Sequence, residues 1–323
     1  MKPKQLAALS FAALAGLCAD AAAQSYPERP LRLIVGFTPG GAADYVGRNV
    51  GEALARALGQ PVVVENKPGA GSSIAADFVS KAPPDGYTIL IASPSSISVN
   101  PALDPKRAPA AQSLMPVTKV SNSPLVIAVN PTLGINSIAD LIAKAKKSPG
   151  TLNFASAGSG SAPHLGGVLF NQLAGTDITH IPFKGGGPAI LSVIAGDTQV
   201  TFATPPSVLP FVKSGRLRGL AVSTPDRSPL VPDLPGMKEA GLPNYKIDFW
   251  YGFFVPQGTP PEIVKKLFDA TAVALQKPEV KAALAREGTD VSASASPADF
   301  AAFVQQENRF WAKLAKDSGA KAD

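Results

Sequence analysis

The chain has 323 residues, a formal net charge of +6, 17% charged residues and a single cysteine. That cysteine is Cys18, so the rest of the chain has no material for a disulfide framework, thiol catalysis or a cysteine-based metal site. Lysines and arginines are scattered without a basic run, so no nucleic-acid partner is expected, and the mild positive charge suits an anionic ligand.

Lys2 and Lys4, an apolar stretch over 6–17 and the small residues Ala21, Ala22 and Ala23 read as an export signal cleaved after Ala23. Leu17, directly before Cys18, speaks against lipid attachment there. The apolar stretch is too short to span a bilayer, and no later run approaches the roughly 20 apolar residues a membrane helix needs. A soluble, exported protein is expected, with enough remaining chain for two domains.

A strand over 31–37 is expected to end in Thr38-Pro39-Gly40-Gly41. The helix that follows, over 42–58, carries Val46, Val50, Leu54 and Leu58 on one stripe and stops at Gly59. A strand over 61–65, apolar at its centre like strands covered on both faces, turns through Asn66-Lys67-Pro68-Gly69 into a helix over 73–81. A third strand over 87–92 completes β-α-β-α-β, the pattern of a parallel sheet with right-handed crossovers. Residues 100–115, rich in Pro and Ala, read as irregular, and 117–130 as an extended crossing into a second domain, interrupted near Ser121-Asn122-Ser123-Pro124. There, helices over 137–147, 162–173, 188–195 and 205–214 alternate with strands over 152–155, 178–182, 200–203 and 218–223. After an irregular stretch from 224 to 243, an apolar strand over 249–256 is expected to pair with 125–129. Helices over 261–275, 278–287 and 297–315 return to cover the first domain. In the last, Ser296 and Asp299 have capping-box spacing, and Phe300, Phe303, Val304, Trp311 and Leu314 form an apolar face that Phe310 widens. The fold class is α/β: two α/β domains around a cleft, one of 24–122 plus 225–323 and the other of 123–224.

Five apolar strands run into polar, mostly glycine-rich loops, at 38–41, 69–73, 93–96, 156–161 and 183–187. Where a helix begins at such a loop, backbone N–H groups lack intrahelical partners and the helix dipole adds partial positive charge, so anions are favoured. Nucleotide fingerprints fail: Pro163 stands where a third glycine should follow Gly158 and Gly160, and Lys184 precedes its glycines. There is no G-x-S-x-G, and two histidines leave no metal-ligand spacing, so no catalytic residue, metal or cofactor is expected. A hydrolase with a loop serine and His164 as base is the alternative from another class. Asp44 either complements the dipole of the first helix or accepts a hydrogen bond in the cleft. Lys184 is an anion anchor or a solvated side chain, and His164 a donor to ligand or a residue bound within its helix. His180 is a packing position, and Trp250 and Phe37 each pack in the core or line a pocket.

The ordered series Pro39-Gly40-Gly41 with Asp44, Val63-Val64-Glu65-Asn66-Lys67-Pro68-Gly69-Ala70-Gly71, Pro84-Asp85-Gly86-Tyr87, Ala155-Ser156-Ala157-Gly158, His180-Ile181-Pro182-Phe183-Lys184-Gly185 and Pro256-Gln257-Gly258-Thr259-Pro260 resembles the periplasmic substrate receptors of tripartite tricarboxylate transporters, the Bug receptors. The resemblance implies a type II periplasmic-binding-protein fold that closes, as a monomer, on a small carboxylate: a di- or tricarboxylate, an acidic amino acid or an aromatic acid. It also implies delivery of that ligand to integral-membrane transporter subunits, with a signalling receptor as the other outcome. Main-chain groups, hydroxyls and bridging waters hold the carboxylates in this family. Carried onto this chain, the contacts are Phe37, Thr38, Gly40, Asp44, Gly71, Ser72, Ser73, Ser93, Ser95, Ser161, His164, Lys184 and Gly185, with Thr204 nearby. Gly36, Thr38, Tyr45, Ser72 and Phe183 depart from the usual pattern and cluster in these loops.

Overall fold

The computed structural model describes residues 26–317, and the expected export signal with Cys18 lies outside the described residues. β1 (Leu31–Val35), α1 (Ala42–Leu58), β2 (Val62–Asn66), α2 (Ser73–Ser80) and β3 (Thr88–Ala92) form the expected opening unit. The stretch read as irregular coils instead into short helical pieces: a π turn at Ser95–Val99, α3 (Asn100–Leu103), a 3-10 turn at Pro105–Arg107 and α4 (Ala108–Gln112). β4 (Leu114–Pro124) and β5 (Val126–Val129) follow, then α5 (Ile138–Lys147), β6 (Asn153–Ser156), α6 (Ala162–Ala174) and β7 (Thr179–Pro182). Next come α7 (Gly186–Ala195), β8 (Val200–Ala203), α8 (Pro205–Lys213), β9 (Arg218–Val222) and β10 (Asp248–Pro256). α9 (Pro261–Gln276), α10 (Pro278–Arg286), β11 (Asp290–Val291) and α11 (Pro297–Asp317) complete the chain. No helix among the described residues is long and apolar enough to cross a membrane.

The strands form two sheets, ordered β11-β4-β10-β3-β1-β2 and β7-β6-β8-β5-β9. In the first, β2, β1 and β3 run parallel, and β10 runs antiparallel to β3 and β4. In the second, β7, β6 and β8 run parallel, and β5 lies antiparallel between β8 and β9. Strand 249–256 therefore does not pair with 125–129: Phe253 faces Ile91 and Thr118, while Ile127 faces Phe202 and Ala221. The extended run breaks at Leu125, whose N–H donates to Ser223 Oγ at 2.7 Å, and the chain changes sheets there. Ser223 Oγ in turn donates to the carbonyl of Ile247 at 2.5 Å, so one hydroxyl ties the outgoing and returning crossings together.

Strand β2 is apolar but lies at the edge of its sheet, and Val63 is 49% exposed because only one face is covered. Val46, Val50 and Leu54 of α1 are fully buried, as their four-residue spacing requires. Ser296 caps α11 as its spacing predicts, with Oγ accepting from the Asp299 N–H at 3.0 Å, while Asp299 Oδ2 accepts from the Ala295 N–H at 3.2 Å, one residue ahead of the cap. Phe300 and Trp311 beneath it are fully buried. Phe310 does not widen that face: it lies about 100° around the helix from Trp311 and is 48% exposed. Glu307 Oε2 accepts from both Trp250 Nε1 and Trp311 Nε1, at 2.9 and 2.6 Å, pinning α11 to β10.

Phe300 fills the space above Gly252, where a Cβ would come within 2.3 Å of its ring. Replacing Phe300 with Ala should therefore lower stability by about 3–5 kcal/mol. Urea unfolding checks this through the shift in midpoint at constant slope; a loss below about 1 kcal/mol contradicts the packing described.

Candidate ligand-binding site

Val35 ends β1, and the chain turns through residues 36–41 into α1. Asp44, in the first turn of that helix, is 7% exposed and enclosed by partners. Its Oδ2 accepts from the Gly40 N–H at 3.1 Å, its Oδ1 from Asn66 Nδ2 at 3.0 Å, and Arg48 Nη2 lies 2.8 Å from Oδ1. Asn66 also donates to the carbonyl of Phe37 at 3.0 Å, so the carboxylate and amide brace the loop from inside. Burial acts to raise the Asp44 pKa, but the bonds from Arg48, Asn66 and Gly40 outweigh it and hold the carboxyl below its ordinary value.

Between the two sheets lies a cavity of about 30 Å³, measured to the centre of a water-sized sphere. Four helix N-termini reach it: Gly41, Ala42 and Ala43 of α1, Ser161, Ala162 and Pro163 of α6, Gly186 of α7, and Thr204 and Ser207 of α8. Phe37, Ser95, Ala155, Ile190, Phe249 and Tyr251 complete its main walls, and no charged side chain lines it. Such ends present partial positive charge of roughly half an elementary charge each. Pro205 and Pro206 remove two donors from the first turn of α8, so that helix brings mainly its dipole.

In the loops that follow β1, β2 and β3, the side-chain oxygens of Thr38, Ser72, Ser93 and Ser95, the last of which lines this cavity, are buried and have no hydrogen-bond partner in the protein, and Ser96 Oγ is likewise unpartnered at a separate groove beside α2. A buried hydroxyl without a partner costs about 1–3 kcal/mol. Several in one place mark a polar surface shaped for something other than the fold. Ser72 Oγ lies where a Cβ on Gly36 would fall, 1.8 Å away, so the departures at 36 and 72 are two halves of one packing exchange.

The two halves meet along a seam of glycines. A Cβ on Gly185 would lie 2.2 Å from Thr38 Oγ1, one on Gly71 would lie 2.6 Å from the carbonyl oxygen of Ser159, and one on Gly160 would lie 2.0 Å from Asn100 Oδ1. The Ala42 N–H donates across the seam to Ser207 Oγ at 3.1 Å. The cleft is thus closed by direct main-chain approach.

A family model described as the tripartite tricarboxylate transporter family receptor matches residues 46–320. The chain belongs to this family. It is 38% identical over 316 residues to Protein BugT of Bordetella pertussis, covering 96% of each chain. Two similar solved structures from Rhodopseudomonas palustris are Rpa4515 with adipate and MatC with bound malate. The first has a TM-score of 0.88 at 33% identity, covering 92% of this chain and 99% of that one. The second has a TM-score of 0.84 at 31% identity, covering 90% of this chain and 100% of that one. The two-sheet architecture is that of periplasmic binding proteins. The family consists of substrate receptors, not enzymes, which removes the hydrolase alternative.

In this receptor Phe37, Ser95, Ser161 and Thr204 line the cavity, and Thr38, Ser72 and Ser93 supply the unpartnered hydroxyls beside it. Gly71 and Gly185 lie in the seam. Gly40 and Asp44 brace the first loop, and Ser73 Oγ accepts from Asn100 Nδ2 at 3.0 Å. His164 is buried: Nδ1 accepts from the Gly160 N–H at 2.9 Å, and its ring stacks on His180 with centroids 3.9 Å apart. Ser156 Oγ is hydrogen-bonded to His180 Nε2 at 2.6 Å, which fixes the loop into α6. Lys184 is exposed and is not among the cavity-lining residues. Trp250 is core, whereas its neighbours Phe249 and Tyr251 on the opposite face of β10 reach the cavity, as strand alternation allows. The junction from β8 into α8 falls where the sequence places a strand, Thr204 and a helix, and it joins the loops at the cavity although Thr204-Pro205-Pro206 contains no glycine.

Because the folded Asp44 value lies below the unfolded carboxyl value of about 3.9, its stabilisation is complete above that pH and disappears as pH falls through the folded value. Replacing Asp44 with Asn should cost about 1–3 kcal/mol at pH 7. The gap from wild type should close below about pH 4, as read from urea midpoints across a pH series; a gap that widens in acid contradicts this account.

Proposed function

We propose that this receptor is exported to the periplasm, closes its two domains on a small carboxylate and delivers it, as a monomer, to integral-membrane transporter subunits. The proposed domains are 24–122 with 225–323, and 123–224. The observation that carries the reading is the convergence of four helix N-termini from both halves on one cavity, beside buried hydroxyls that no protein group satisfies. Adipate in Rpa4515 and malate in MatC support the carboxylate class. Phe37, Thr38, Gly71, Ser72, Ser93, Ser95, Ser161, Gly185 and Thr204 form the proposed contact surface. Gly40, Asp44, Ser73 and His164 hold that surface from behind, and Lys184 adds charge at a distance. Ligand favours the closed arrangement because only there do both halves contribute contacts.

A thermal-shift screen of residues 24–323, unfolded and refolded to strip carried-over ligand, tests this. Adipate, malate, acidic amino acids and aromatic acids are compared with their neutral amides. A micromolar binder at millimolar concentration adds about 4 kcal/mol to apparent stability, and the acid should shift the midpoint where its amide does not. A folded protein that no acid stabilises overturns the carboxylate reading.

Gly185 has extended backbone, φ 163°, that any residue adopts, so alanine there introduces a wedge against Thr38 without backbone strain. Gly185→Ala should weaken binding of the acid found in that screen at least tenfold by calorimetry, with the ligand-free melting point nearly unchanged. Equal affinity would show that this part of the seam takes no role in closure.

A further inference from the structure

Residues 69–72 follow a path that L side chains avoid, with φ of +132° at Gly69, +48° at Ala70, +56° at Gly71 and +73° at Ser72. Among the described residues, Ala70 and Ser72 are the non-glycine positions with positive φ. An isolated segment of this composition favours negative φ at both, so groups outside the turn must hold it. Asn100, the first residue of α3, does so. It is fully buried, and its Nδ2 donates to the carbonyls of Ala70 and Gly71 and to Ser73 Oγ, each at 3.0 Å. Arg107 Nη1 adds a bond to the Ala70 carbonyl at 3.2 Å, while its Nε is anchored on Asp104 Oδ2 at 3.2 Å.

The other end of the Asn100 amide points across the seam. Oδ1 has no hydrogen-bond partner and abuts Gly160 of the opposite half. One side chain therefore sets the shape of a cleft loop with its nitrogen and meets the closing loop with its oxygen.

We infer that Asn100 is a positioning residue for ligand capture. It holds the left-handed turn that sets Ser72 Oγ against Gly36 in the first cleft loop, and its oxygen limits how far the loop at 158–161 approaches. This rests on the receptor reading above. Only a side chain with an N–H donor at this position fits, because three acceptors surround the nitrogen; aspartate would set a carboxylate against them.

Hydrogen exchange of peptides spanning 68–74 and calorimetric affinity for adipate, measured on the wild type and on Asn100→Ala, test the inference. Exchange in that segment should quicken at least tenfold while distant segments stay unchanged, and adipate affinity should fall at least tenfold. Adding Ala70→Gly, which removes the need for an L residue at positive φ, should recover at least threefold of the lost affinity. If Asn100→Ala does not fold, Arg107→Leu serves as the second variant and should quicken exchange in the same segment. Unchanged exchange over 68–74 in the folded variants overturns the inference. A wild type that binds neither adipate nor any other acid of the panel overturns the receptor reading instead, and the exchange comparison still decides the role of Asn100.

Discussion

The N–H groups in the first turn of an α-helix cannot bond within the helix, and the whole cleft of this receptor depends on where the chain leaves them. In the parallel parts of both sheets, strands β1, β6, β7 and β8 each run directly into a helix, so the N-termini of α1, α6, α7 and α8 gather at the facing sheet edges. An anion meets oriented dipoles there without the desolvation cost of a buried lysine or arginine. Asp44 would work against this, being an acid in the first turn of α1, but Arg48 neutralises it from the far side. The carboxylate can then shape the loop without repelling a ligand.

The same geometry carries a cost in stability. Thr38, Ser72, Ser93 and Ser95 bury hydroxyls that the protein leaves unpaired, and Ala70 and Ser72 sit in strained backbone. These features lie close together, while beneath them Phe300 packs edge to face on Trp250 and Phe254, and Glu307 satisfies both indoles. Unpaired hydroxyls are thus concentrated in the loops around the cavity, with Ser121 and Thr289 as further cases elsewhere among the described residues.

Most helices and strands were legible in the sequence because their apolar spacing and stop signals are local. Gly59 ends α1 at φ 69°, and Ser296 with Asp299 starts α11. The glycine-rich loops were legible for the same reason, and the cavity lies among several of them. What could not be read involves partners far apart in the chain. β10 pairs with β3 and β4 because the chain changes sheets at Leu125, a break set by Ser223, 98 residues away. Asn100 lay within a Pro- and Ala-rich stretch with no local signal, and its importance comes from a turn about thirty residues earlier. Asp44 is ambiguous in the sequence and is resolved by Asn66 and Arg48, whose side chains converge only after folding. Lys184 stood out by charge alone, yet a lysine on a glycine-rich loop is as easily solvated as buried, and here it is exposed.

Recognition through the main chain has a consequence for divergence. No single amino-acid replacement other than proline can delete a backbone N–H, so the preference for negative charge is carried by the course of the polypeptide and survives when side chains drift. The walls contributed by Phe37, Ala155, Ile190, Phe249 and Tyr251 are free to change size and shape around it. A lineage of such receptors can explore new acids by remodelling those walls alone.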